Sequence, residues 1–446
     1  MKTLIPGSKI VKSLLGKAES ADSYRLMTCV VSEEAEEGVL LYHTLTRELL
    51  LLSPEEHERL FDLPELYEKW FLVPEGTEDR RLADQVRFVL HTLEPKEEYI
   101  SSYTIFTTTE CNARCFYCYE KNDRRLTMSE ATARQLVDFI EKHRGGKAVR
   151  LGWFGGEPLY NLPVIDFITG ELTKRNIPFT SSMISNGYLL DGETARRAGE
   201  QWKLQSVQIT LDGTESVYNR TKAYIYKDGN PFERVLANMA GCLENGIRVT
   251  VRMNVSAANG DDLAELAELL HARFGENRYL SAYSHLLFQI EHNTDEETAQ
   301  ANEKKQRLDR LLRQYKMQTG YDFAPQPKLY SCAADSDHCV TVLPDGMLGA
   351  CEHYLDSYYI GSVRTDTVDE EARQVFREYV SIPECDSCPL YPECRILTKC
   401  EPSANCDSLH RENALAELKN RMKGYCHLRQ KDANIEKNEK GDQNRE

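Results

Sequence analysis

The stretch 107-TTTECNARCFYCYE-120 contains three cysteines, Cys111, Cys115 and Cys118, at the spacing Cys-x3-Cys-x2-Cys. An iron-sulfur cluster in a protein is normally held by four cysteine thiolates. A cluster held by these three cysteines alone would keep one iron free for a small molecule. A zinc site is the alternative, but zinc motifs tend to be paired Cys-x2-Cys units. The run therefore predicts a cluster that takes part in chemistry.

Three further segments follow this run in order. Residues 155–158 read Gly-Gly-Glu-Pro, residues 185–187 read Ser-Asn-Gly, and residues 208–213 read Gln-Ile-Thr-Leu-Asp-Gly. Each segment alone is compatible with an ordinary turn, because glycine, asparagine and aspartate are common turn residues. Glycine also permits a close approach of backbone to a ligand, since it has no Cβ atom. Behind the three-cysteine run, the segments together indicate one cofactor site.

The combined pattern resembles the radical SAM superfamily, in which the open iron chelates the amino and carboxylate groups of S-adenosylmethionine (SAM). In that family, electron donation cleaves SAM to a 5′-deoxyadenosyl radical. The resemblance implies a catalytic [4Fe-4S] cluster on the three cysteines, with Tyr117 next to the adenine and Glu157 accepting from the SAM ammonium group. The residues implied to line the SAM site are Tyr117, Gly155, Gly156, Glu157, Pro158, Ser185, Asn186, Gln208, Thr210, Asp212 and Arg252.

Two of these residues have alternative roles at this stage. A bidentate fork from Arg252 to the SAM carboxylate is one reading, and a surface or structural ion pair is the other. Asp212 either orients the ribose or the substrate, or only caps its turn.

Strand and helix patterns alternate six times over residues 96–320. The predicted strands are 103–109, 149–154, 179–185, 206–211, 248–255 and 283–290, and predicted helices include 128–143, 232–245 and 296–319. Such alternation predicts an α/β fold with a parallel sheet, here a partial (β/α)6 TIM-like barrel that forms the radical SAM core. Chemistry in parallel barrels sits at the C-terminal ends of strands. Because each motif directly follows a strand, the motifs are expected to meet at one mouth.

Residues 1–95 predict a separate winged-helix-like α+β unit. The predicted strands are 24–31, 38–44 and 47–52. A helix should begin at Ser53 and Pro54, a plausible N-cap and first helical residue, and another should span 78–93. The pattern is similar to leader-peptide recognition elements, which bind by strand addition to an exposed sheet edge. A purely structural cap on the barrel is the alternative.

The region after the barrel contains a dense set of cysteines: Cys332, Cys339, Cys351, Cys385, Cys388, Cys394, Cys400, Cys406 and Cys426. Two patterns resemble the SPASM domain, an auxiliary cluster module of radical SAM peptide enzymes: Cys332-x13-Gly346-x4-Cys351 and Cys385-x2-Cys388-x5-Cys394. The resemblance implies a SPASM domain at 325–430 with two auxiliary [4Fe-4S] clusters. A zinc ribbon is the alternative.

The cysteine spacing departs from that family in two places. Relatives continue with Cys-x3-Cys, whereas Cys400 follows Cys394 after a longer gap, and Cys406 is an addition. Two fully ligated clusters need eight thiolates and nine are present, so one is spare or faces the substrate. Cys29 and Cys242 fall inside a strand and a helix pattern, where a free cysteine packs as a small core residue.

Composition excludes several classes of protein. The 446 residues carry a net charge of −16, which argues against a nucleic-acid partner. No apolar stretch is long enough for a membrane span, and no signal peptide is recognisable, so the expected location is cytoplasmic. Fourteen cysteines without an export signal indicate metal binding rather than disulfides. The polar tail at 431–446 is predicted to be disordered.

Taken together, the resemblance implies a radical SAM maturase of a ribosomally made, cysteine-rich precursor peptide that carries a leader. Thioether crosslinks are the leading expected product, and a flavodoxin or ferredoxin is the expected electron donor. One alternative is an anaerobic sulfatase maturase that oxidises a Cys or Ser of its partner to formylglycine. Another alternative is a non-catalytic iron-sulfur electron carrier, although such a carrier has no need of a SAM pocket.

Overall fold

A computed structural model of the chain describes residues 1–17, 21–93, 99–120, 124–287, 294–317, 332–353, 358–379, 381–394, 406 and 411–426. The chain divides into two compact units, each assembled from distant parts of the sequence. The first unit comprises Met1–Lys96, Gly320–Cys332 and Val375–Glu446, and the second comprises Glu97–Thr319 and Ala333–Gln374. The predicted tail at 431–446 lies outside the described residues.

The first unit is built on a four-stranded antiparallel sheet with the order β1-β5-β4-β3, and β2 pairs separately with β6. Its strands are β1 (Lys2–Ile5), β2 (Tyr24–Leu26), β3 (Val30–Ala35), β4 (Gly38–His43), β5 (Glu48–Leu52) and β6 (Leu72–Pro74). Its labelled helices are α1 (Lys9–Leu15), α2 (Pro54–Glu58), α3 (Pro64–Glu68) and α4 (Asp79–Leu93). A further helix at 411–426, here called the C-terminal helix, belongs to the same unit.

The three-strand prediction for this unit is incomplete. The predicted strand 24–31 is two strands, because β2 ends at Leu26 and β3 begins at Val30 in a different sheet. Strand β1 and helix α1 have no counterpart in the prediction. The start of α2 is confirmed: the Ser53 side chain accepts from the Glu56 backbone N–H, the Glu56 side chain accepts from the Ser53 N–H, and Pro54 follows the cap.

Both faces of this sheet are covered, which explains the continuous leucine run of β5. Leu49 and Leu51 pack in a cluster with Leu418 and Met422 of the C-terminal helix. Leu50, on the opposite face, packs in a second cluster with Leu66 of α3 and with Leu60, Phe71 and Leu72 on either side of that helix. A run with a single buried face would alternate with polar residues instead.

The second unit carries a ten-stranded, mostly parallel sheet with the order β12-β11-β10-β9-β8-β7-β13-β14-β15-β16. Its strands are β7 (Ser102–Thr108), β8 (Val149–Gly155), β9 (Phe179–Ser185), β10 (Leu204–Thr210), β11 (Arg248–Val255), β12 (Leu280–Leu286), β13 (Cys339–Val342), β14 (Met347–Gly349), β15 (Tyr359–Ser362) and β16 (Thr367–Val368). Its helices are α5 (Glu130–His143), α6 (Leu162–Lys174), α7 (Gly192–Glu200), α8 (Glu215–Lys222), α9 (Pro231–Glu244), α10 (Gly260–Phe274), α11 (Asp295–Gln314) and α12 (Glu370–Gln374).

The predicted parallel α/β sheet is confirmed. Strands β7 to β12 lie side by side in chain order, each parallel to the next, with helices in the connections. The sixth strand is shifted from its prediction, since β12 ends at Leu286 and residues 288–290 lie outside the described part. Four strands were not predicted: β13 adds in parallel to the free edge of β7, and β14, β15 and β16 continue antiparallel.

Side chains alternate along these six strands between a buried face and a more open one. On β9, Ser181, Met183 and Ser185 are buried, whereas Ser182 and Ile184 are exposed. The buried positions match the period of two that is expected of a strand covered by helices on one side. The open face carries many polar side chains, which suits a binding site rather than a packed core. In the part of the chain that the structure describes, no helix combines the length and apolar character needed to cross a membrane.

Candidate active site

The three-cysteine loop begins directly after β7, at the C-terminal end of that strand. Cys111, Cys115 and Cys118 are all partly buried. The Cys111 sulfur accepts from the Ala113 backbone N–H at 3.4 Å and from the Asn186 side-chain amide at 3.8 Å. Hydrogen bonds to ligand sulfurs are one of the means by which proteins tune iron-sulfur clusters.

The thiols of this loop are within electrostatic reach of one another. Burial raises the pKa of Cys111 to about 12, and the neighbouring Cys115 and Cys118 contribute to the rise. Burial also raises the pKa of Cys118. Thiols of this kind ionise when a metal binds them, because a coordinated thiol is deprotonated. The donor set therefore fits an iron-sulfur cluster.

Among the described residues, no three His, Cys, Asp or Glu side chains are grouped closely enough to hold one metal ion. This applies to the three-cysteine loop and to the described C-terminal cysteines. The finding concerns a single ion such as zinc. In a cluster, each thiolate binds an iron of its own, so the three sulfurs need not converge on one point.

The two glycines of the Gly-Gly-Glu-Pro segment let the end of β8 lie against the start of the cysteine loop. The Gly156 N–H donates to the Thr108 carbonyl at 3.1 Å, and the Glu157 N–H donates to the Glu110 carbonyl at 2.9 Å. A Cβ on Gly155, whose φ is +117°, would lie 2.2 Å from the Thr108 oxygen, and one on Gly156 would lie 2.4 Å from the Glu110 oxygen. The close approach that requires glycine is thus between two backbones.

Glu157 joins the ends of two strands from a fully buried position. Its carboxylate accepts from the Leu159 N–H at 3.2 Å, from the Ser185 hydroxyl at 2.9 Å and from the Asn186 N–H at 2.8 Å. Burial raises the pKa of Glu157 to about 7, against the lowering effect of these donors. Pro158 is likewise buried, and its carbonyl accepts from the Thr107 hydroxyl. The contact of Glu157 with a SAM ammonium group stays a prediction.

The Ser-Asn-Gly segment contacts the cysteine loop through Asn186. Its side-chain amide donates to the Asn112 side-chain oxygen at 2.6 Å, in addition to the contact with the Cys111 sulfur. Asn112 is fully buried, and its carbonyl accepts from the Ile225 N–H at 2.9 Å. The loop is therefore held between the end of β9 and the segment after α8.

Asp212, at the end of the Gln-Ile-Thr-Leu-Asp-Gly segment, faces the aromatic residue of the cysteine loop. The Tyr117 hydroxyl donates to one Asp212 carboxylate oxygen at 2.6 Å, and the Asn254 amide donates to the other at 3.0 Å. Lys222 lies 3.0 Å from the same carboxylate and donates to the Tyr117 oxygen at 3.0 Å. Asp212 is 1% exposed. The structure thus gives it a buried linking role, and contact with a ribose stays a prediction.

The open face of the sheet presents Gln208, Thr210 and Arg252 on two neighbouring strands. Gln208 accepts from the Tyr283 hydroxyl at 2.9 Å, and Thr210 lies opposite Arg252 in the register of β10 and β11. The Arg252 guanidinium contacts the Asn254 side-chain oxygen at 2.9 Å and His285 at 3.2 Å.

Among the described residues, the side-chain partners of Arg252 are Asn254 and His285, and no carboxylate balances its charge. Burial, assisted by Arg252, lowers the pKa of His285 to about 4, so this neighbour is neutral near pH 7. The structural ion pair considered for Arg252 is therefore not found in the described part, and the guanidinium retains the capacity to bind an anion.

Lys222 and Asn112 are the site residues that the sequence did not reveal. Asn112 lies between two cysteines of the motif, where any residue is compatible with the spacing. Lys222 is the last residue of α8 and shares the buried face with Tyr218, four residues earlier. A lysine on the apolar face of a short helix was the available signal, since lysine is rarely fully buried without a partner.

The described C-terminal cysteines fall in both units. Cys339 begins β13 and Cys351 follows β14 in the second unit, whereas the remainder belong to the first. The loop with Cys351 reaches the three-cysteine loop, because the Tyr119 and His353 rings stack with centroids 4.5 Å apart.

In the first unit, burial raises the pKa of Cys388, and the nearby Cys406 and Cys385 add to this rise. These three thiols are consequently close enough to interact. Cys332 is exposed and Cys394 is partly buried. Cys400 lies outside the described residues.

Cys426 has surroundings of a different kind. It is 5% exposed and packs at the end of the C-terminal helix with Leu4, Leu418 and Met422. A free cysteine in apolar surroundings behaves as a small hydrophobic residue. The environment therefore favours packing over the ligand role predicted for Cys426. Cys29 and Cys242 are buried, which confirms their prediction as core residues.

Comparison with protein families places the cysteine loop and the next three motifs in one domain. Residues 105–270 match the model of the radical SAM superfamily. The chain is 26% identical over 318 residues to GTP 3′,8-cyclase of Clostridium perfringens (strain SM101 / Type A), covering 64% of this chain and 92% of that protein. It is 27% identical over 181 residues to pre-heme d1 synthase of Dinoroseobacter shibae, covering 41% and 42%.

Two solved structures share the fold. Native anSMEcpe, an anaerobic sulfatase maturase, with bound AdoMet and Cp18Cys peptide gives a TM-score of 0.53 at 15% identity, covering 74% of this chain and 98% of that one. Streptococcus suis SuiB bound to its precursor peptide SuiA gives a TM-score of 0.50 at 12% identity, covering 87% and 99%. The domain match implies a [4Fe-4S] cluster, SAM and SAM-dependent radical chemistry.

Proposed function

Because the chain carries a radical SAM domain, we propose that it is a maturase that modifies a ribosomally made peptide by SAM-dependent radical chemistry. The observation that carries the proposal is the convergence of four motifs at the C-terminal ends of neighbouring parallel strands. The cysteine loop contacts the Gly-Gly-Glu-Pro, Ser-Asn-Gly and Asp-Gly segments through direct hydrogen bonds. An electron carrier has no need of the motifs that form a SAM site.

When bound, the cluster and SAM would supply the 5′-deoxyadenosyl radical that removes hydrogen from the peptide. The chain's own residues hold and orient these groups. Cys111, Cys115 and Cys118 would hold the cluster, and Arg252 would bind the SAM carboxylate. Tyr117 would lie beside the adenine. Gln208 and Thr210, with the other residues implied by the resemblance, line the remaining SAM surface.

A peptide substrate is supported by the first unit. Its sheet ends in β3, which pairs with β4 alone among the strands of the described residues. An edge strand of this kind can accept a leader peptide as an added strand. The strand and its turn carry Glu33, Glu34, Glu36 and Glu37, and Glu33 pairs with two lysines of the C-terminal helix. We therefore expect a leader with basic residues along the docking segment.

The cysteine-rich region supports the finer part of the proposal. We assign residues 325–430 to a SPASM domain with two auxiliary [4Fe-4S] clusters, and residues 1–95 to a winged-helix-like leader-binding domain. An auxiliary cluster would take up the second electron of a thioether-forming oxidation. A flavodoxin or ferredoxin would reduce the catalytic cluster, and the reducing cytoplasm would be its location. Both SuiB and anSMEcpe were solved with peptides bound, which agrees with a peptide substrate here.

The test is anaerobic incubation of the reconstituted protein with SAM, a reductant and a cysteine-rich candidate precursor. We expect formation of 5′-deoxyadenosine and methionine, loss of two hydrogens per modified site, and thiols that no longer react with an alkylating agent. The Cys115→Ala variant is the matched control and should abolish SAM cleavage. Wild-type protein that binds no SAM under these conditions would contradict the proposal.

Formylglycine formation is the second candidate, favoured by the shared fold with anSMEcpe. The same mass measurement separates the two products. Oxidation of a substrate cysteine to formylglycine removes its sulfur, whereas a thioether retains the sulfur and joins two residues. Retention of the C-terminal clusters and of electron transfer in Cys115→Ala, with no SAM cleavage by the wild type, would instead indicate an electron carrier.

A further inference from the structure

Lys222 occupies a buried position between two segments of the SAM site. It is 3% exposed and ends α8. Its ammonium group lies 3.0 Å from an Asp212 carboxylate oxygen and donates to the Tyr117 hydroxyl oxygen at 3.0 Å. The Tyr117 hydroxyl in turn donates to the same Asp212 oxygen at 2.6 Å. The three groups form a closed triangle of hydrogen bonds.

Asp212 is fixed independently of Lys222. Its other carboxylate oxygen accepts from the Asn254 amide at 3.0 Å, and its backbone carbonyl accepts from the Asn259 amide at 3.0 Å. These asparagines come from the end of β11 and from the residue before α10. Asp212 is therefore a rigid anchor at the end of β10, and Lys222 links Tyr117 to this anchor.

The backbone next to Lys222 also holds the cysteine loop. The Lys222 carbonyl accepts from the Arg114 N–H at 2.8 Å, and the Asn112 carbonyl accepts from the Ile225 N–H at 2.9 Å. Both bonds connect residues between Cys111 and Cys115 to the end of α8 and the residues just after it. The side chain and the backbone of this segment thus act on the same loop from two directions.

We propose that Lys222 is a positioning residue for SAM, which fixes the Tyr117 ring and the cysteine loop in the geometry that receives the adenosyl group. The inference rests on the proposed function, because it assumes that SAM binds beside Tyr117. In this proposal, Lys222 does not touch SAM. It acts through the Tyr117 hydroxyl, whose orientation is fixed by both Asp212 and Lys222.

The charge of Lys222 suits this role. Burial alone lowers the pKa of a lysine, but Asp212, Tyr117 and Cys115 raise the pKa of Lys222 well above its ordinary value. A charged, paired donor makes a stronger hydrogen bond than a neutral one.

The experiment compares SAM dissociation constants of Lys222→Met, Lys222→Arg and Tyr117→Phe with wild type, by anaerobic equilibrium dialysis of reconstituted protein without reductant. Turnover is absent, so the readout is independent of activity. We expect Lys222→Met and Tyr117→Phe each to weaken SAM binding about tenfold, as expected for loss of one charged hydrogen bond. Lys222→Arg, which keeps a charged donor, should recover most of this loss. Iron content should stay at the wild-type level.

The double variant Lys222→Met/Tyr117→Phe decides between positioning and general stabilisation. If Lys222 acts through Tyr117, the double variant should bind SAM no more weakly than the weaker single variant. Additive losses, or wild-type affinity in Lys222→Met, would overturn the inference. Lys227→Met is the matched control, because Lys227 is exposed and makes no hydrogen bond or ion pair with any described residue.

A folding defect in Lys222→Met and a failure of the wild type to bind SAM are distinguished as follows. If Lys222→Met loses iron or unfolds, the same cycle is run with Lys222→Gln, which retains a neutral donor, and the same criteria apply. If the wild-type protein binds no SAM, the proposed function fails. If the wild type binds SAM and the cycle is additive, only the role of Lys222 fails.

Discussion

Replacing Gly156 with alanine should displace the cysteine loop from the end of β8. A Cβ at this position would lie 2.4 Å from the Glu110 carbonyl oxygen and 2.7 Å from the Thr109 carbonyl oxygen. Gly156 does not have a positive φ, so the conflict is one of space and not of backbone conformation. The atoms in the way are backbone atoms, which cannot move aside as the end of a flexible side chain can.

The size of the effect follows from the displacement and the hydrogen bonds that it breaks. Real Cβ contacts stay above 3.0 Å, so the two segments must separate by about 0.6 Å from the present 2.4 Å. Overpacking of this kind costs about 1 to 3 kcal/mol. The two backbone hydrogen bonds across the contact, from Gly156 to Thr108 and from Glu157 to Glu110, are worth about 1 kcal/mol each. We expect a loss of about 3 to 5 kcal/mol, or a thermal midpoint lower by about 6 to 20 °C for a unit of this size.

The assay is differential scanning calorimetry of the apoprotein, followed by reconstitution and measurement of iron and SAM cleavage. Gly156→Ala should lower the midpoint of the second unit and abolish SAM cleavage. Gly170→Ala is the control, because a Cβ at Gly170 in α6 meets nothing within 4 Å and alanine is the better helix former. A Gly156→Ala protein with wild-type midpoint and SAM cleavage would refute the steric argument.

Three more predictions test other parts of the site. Burial raises the pKa of Glu157 from its ordinary 4.5 to about 7, so its stabilising contribution is complete below pH 4.5 and is lost as the pH rises through about 7. The thermal midpoint of wild type should therefore fall relative to Glu157→Gln between pH 5 and about 8, and parallel profiles would contradict this. Arg252→Ala should weaken SAM binding about tenfold with unchanged iron, and Arg252→Lys should not restore it if the contact is bidentate; full affinity in the lysine variant would exclude the fork. Cys426→Ala should keep its iron and lose about 1 kcal/mol of stability, whereas Cys388→Ala should lose iron, as iron analysis of both variants would reveal.

Much of the second unit could be predicted, because its strands and turns are determined by residues that are close together in the sequence. The strands of 103–109 and 179–185 have the apolar patterns of helix-covered strands, and β7 and β9 match them within one residue at each end. The positions of the motifs could also be predicted, because glycine, asparagine and aspartate mark the turns at which the strands end. The domain match at residues 105–270 agrees with this part of the prediction.

The remaining features depend on contacts between distant parts of the sequence. Strand β13 has only four residues, and nothing in them specifies that β7 is the partner. The link between Lys222 and Tyr117 joins residues 105 positions apart. The sequence predicted that Gly156 allows a close approach, but not what approaches it. A ligand was expected there, and the structure shows the backbone of Glu110.

The pairing of β7 with β13 has a consequence for how the protein folds during synthesis. Ser102 pairs with β8 at Arg150 but must wait for Cys339 before its other edge is covered. Until the ribosome has released that distant segment, the strand that leads into the three-cysteine loop presents a row of unpaired backbone groups. Such an edge is slow to close, because long-range contacts require large loops, and it invites pairing with other chains meanwhile. A nascent or truncated chain that ends before residue 339 should therefore be aggregation-prone, even though it contains every residue of the radical SAM domain.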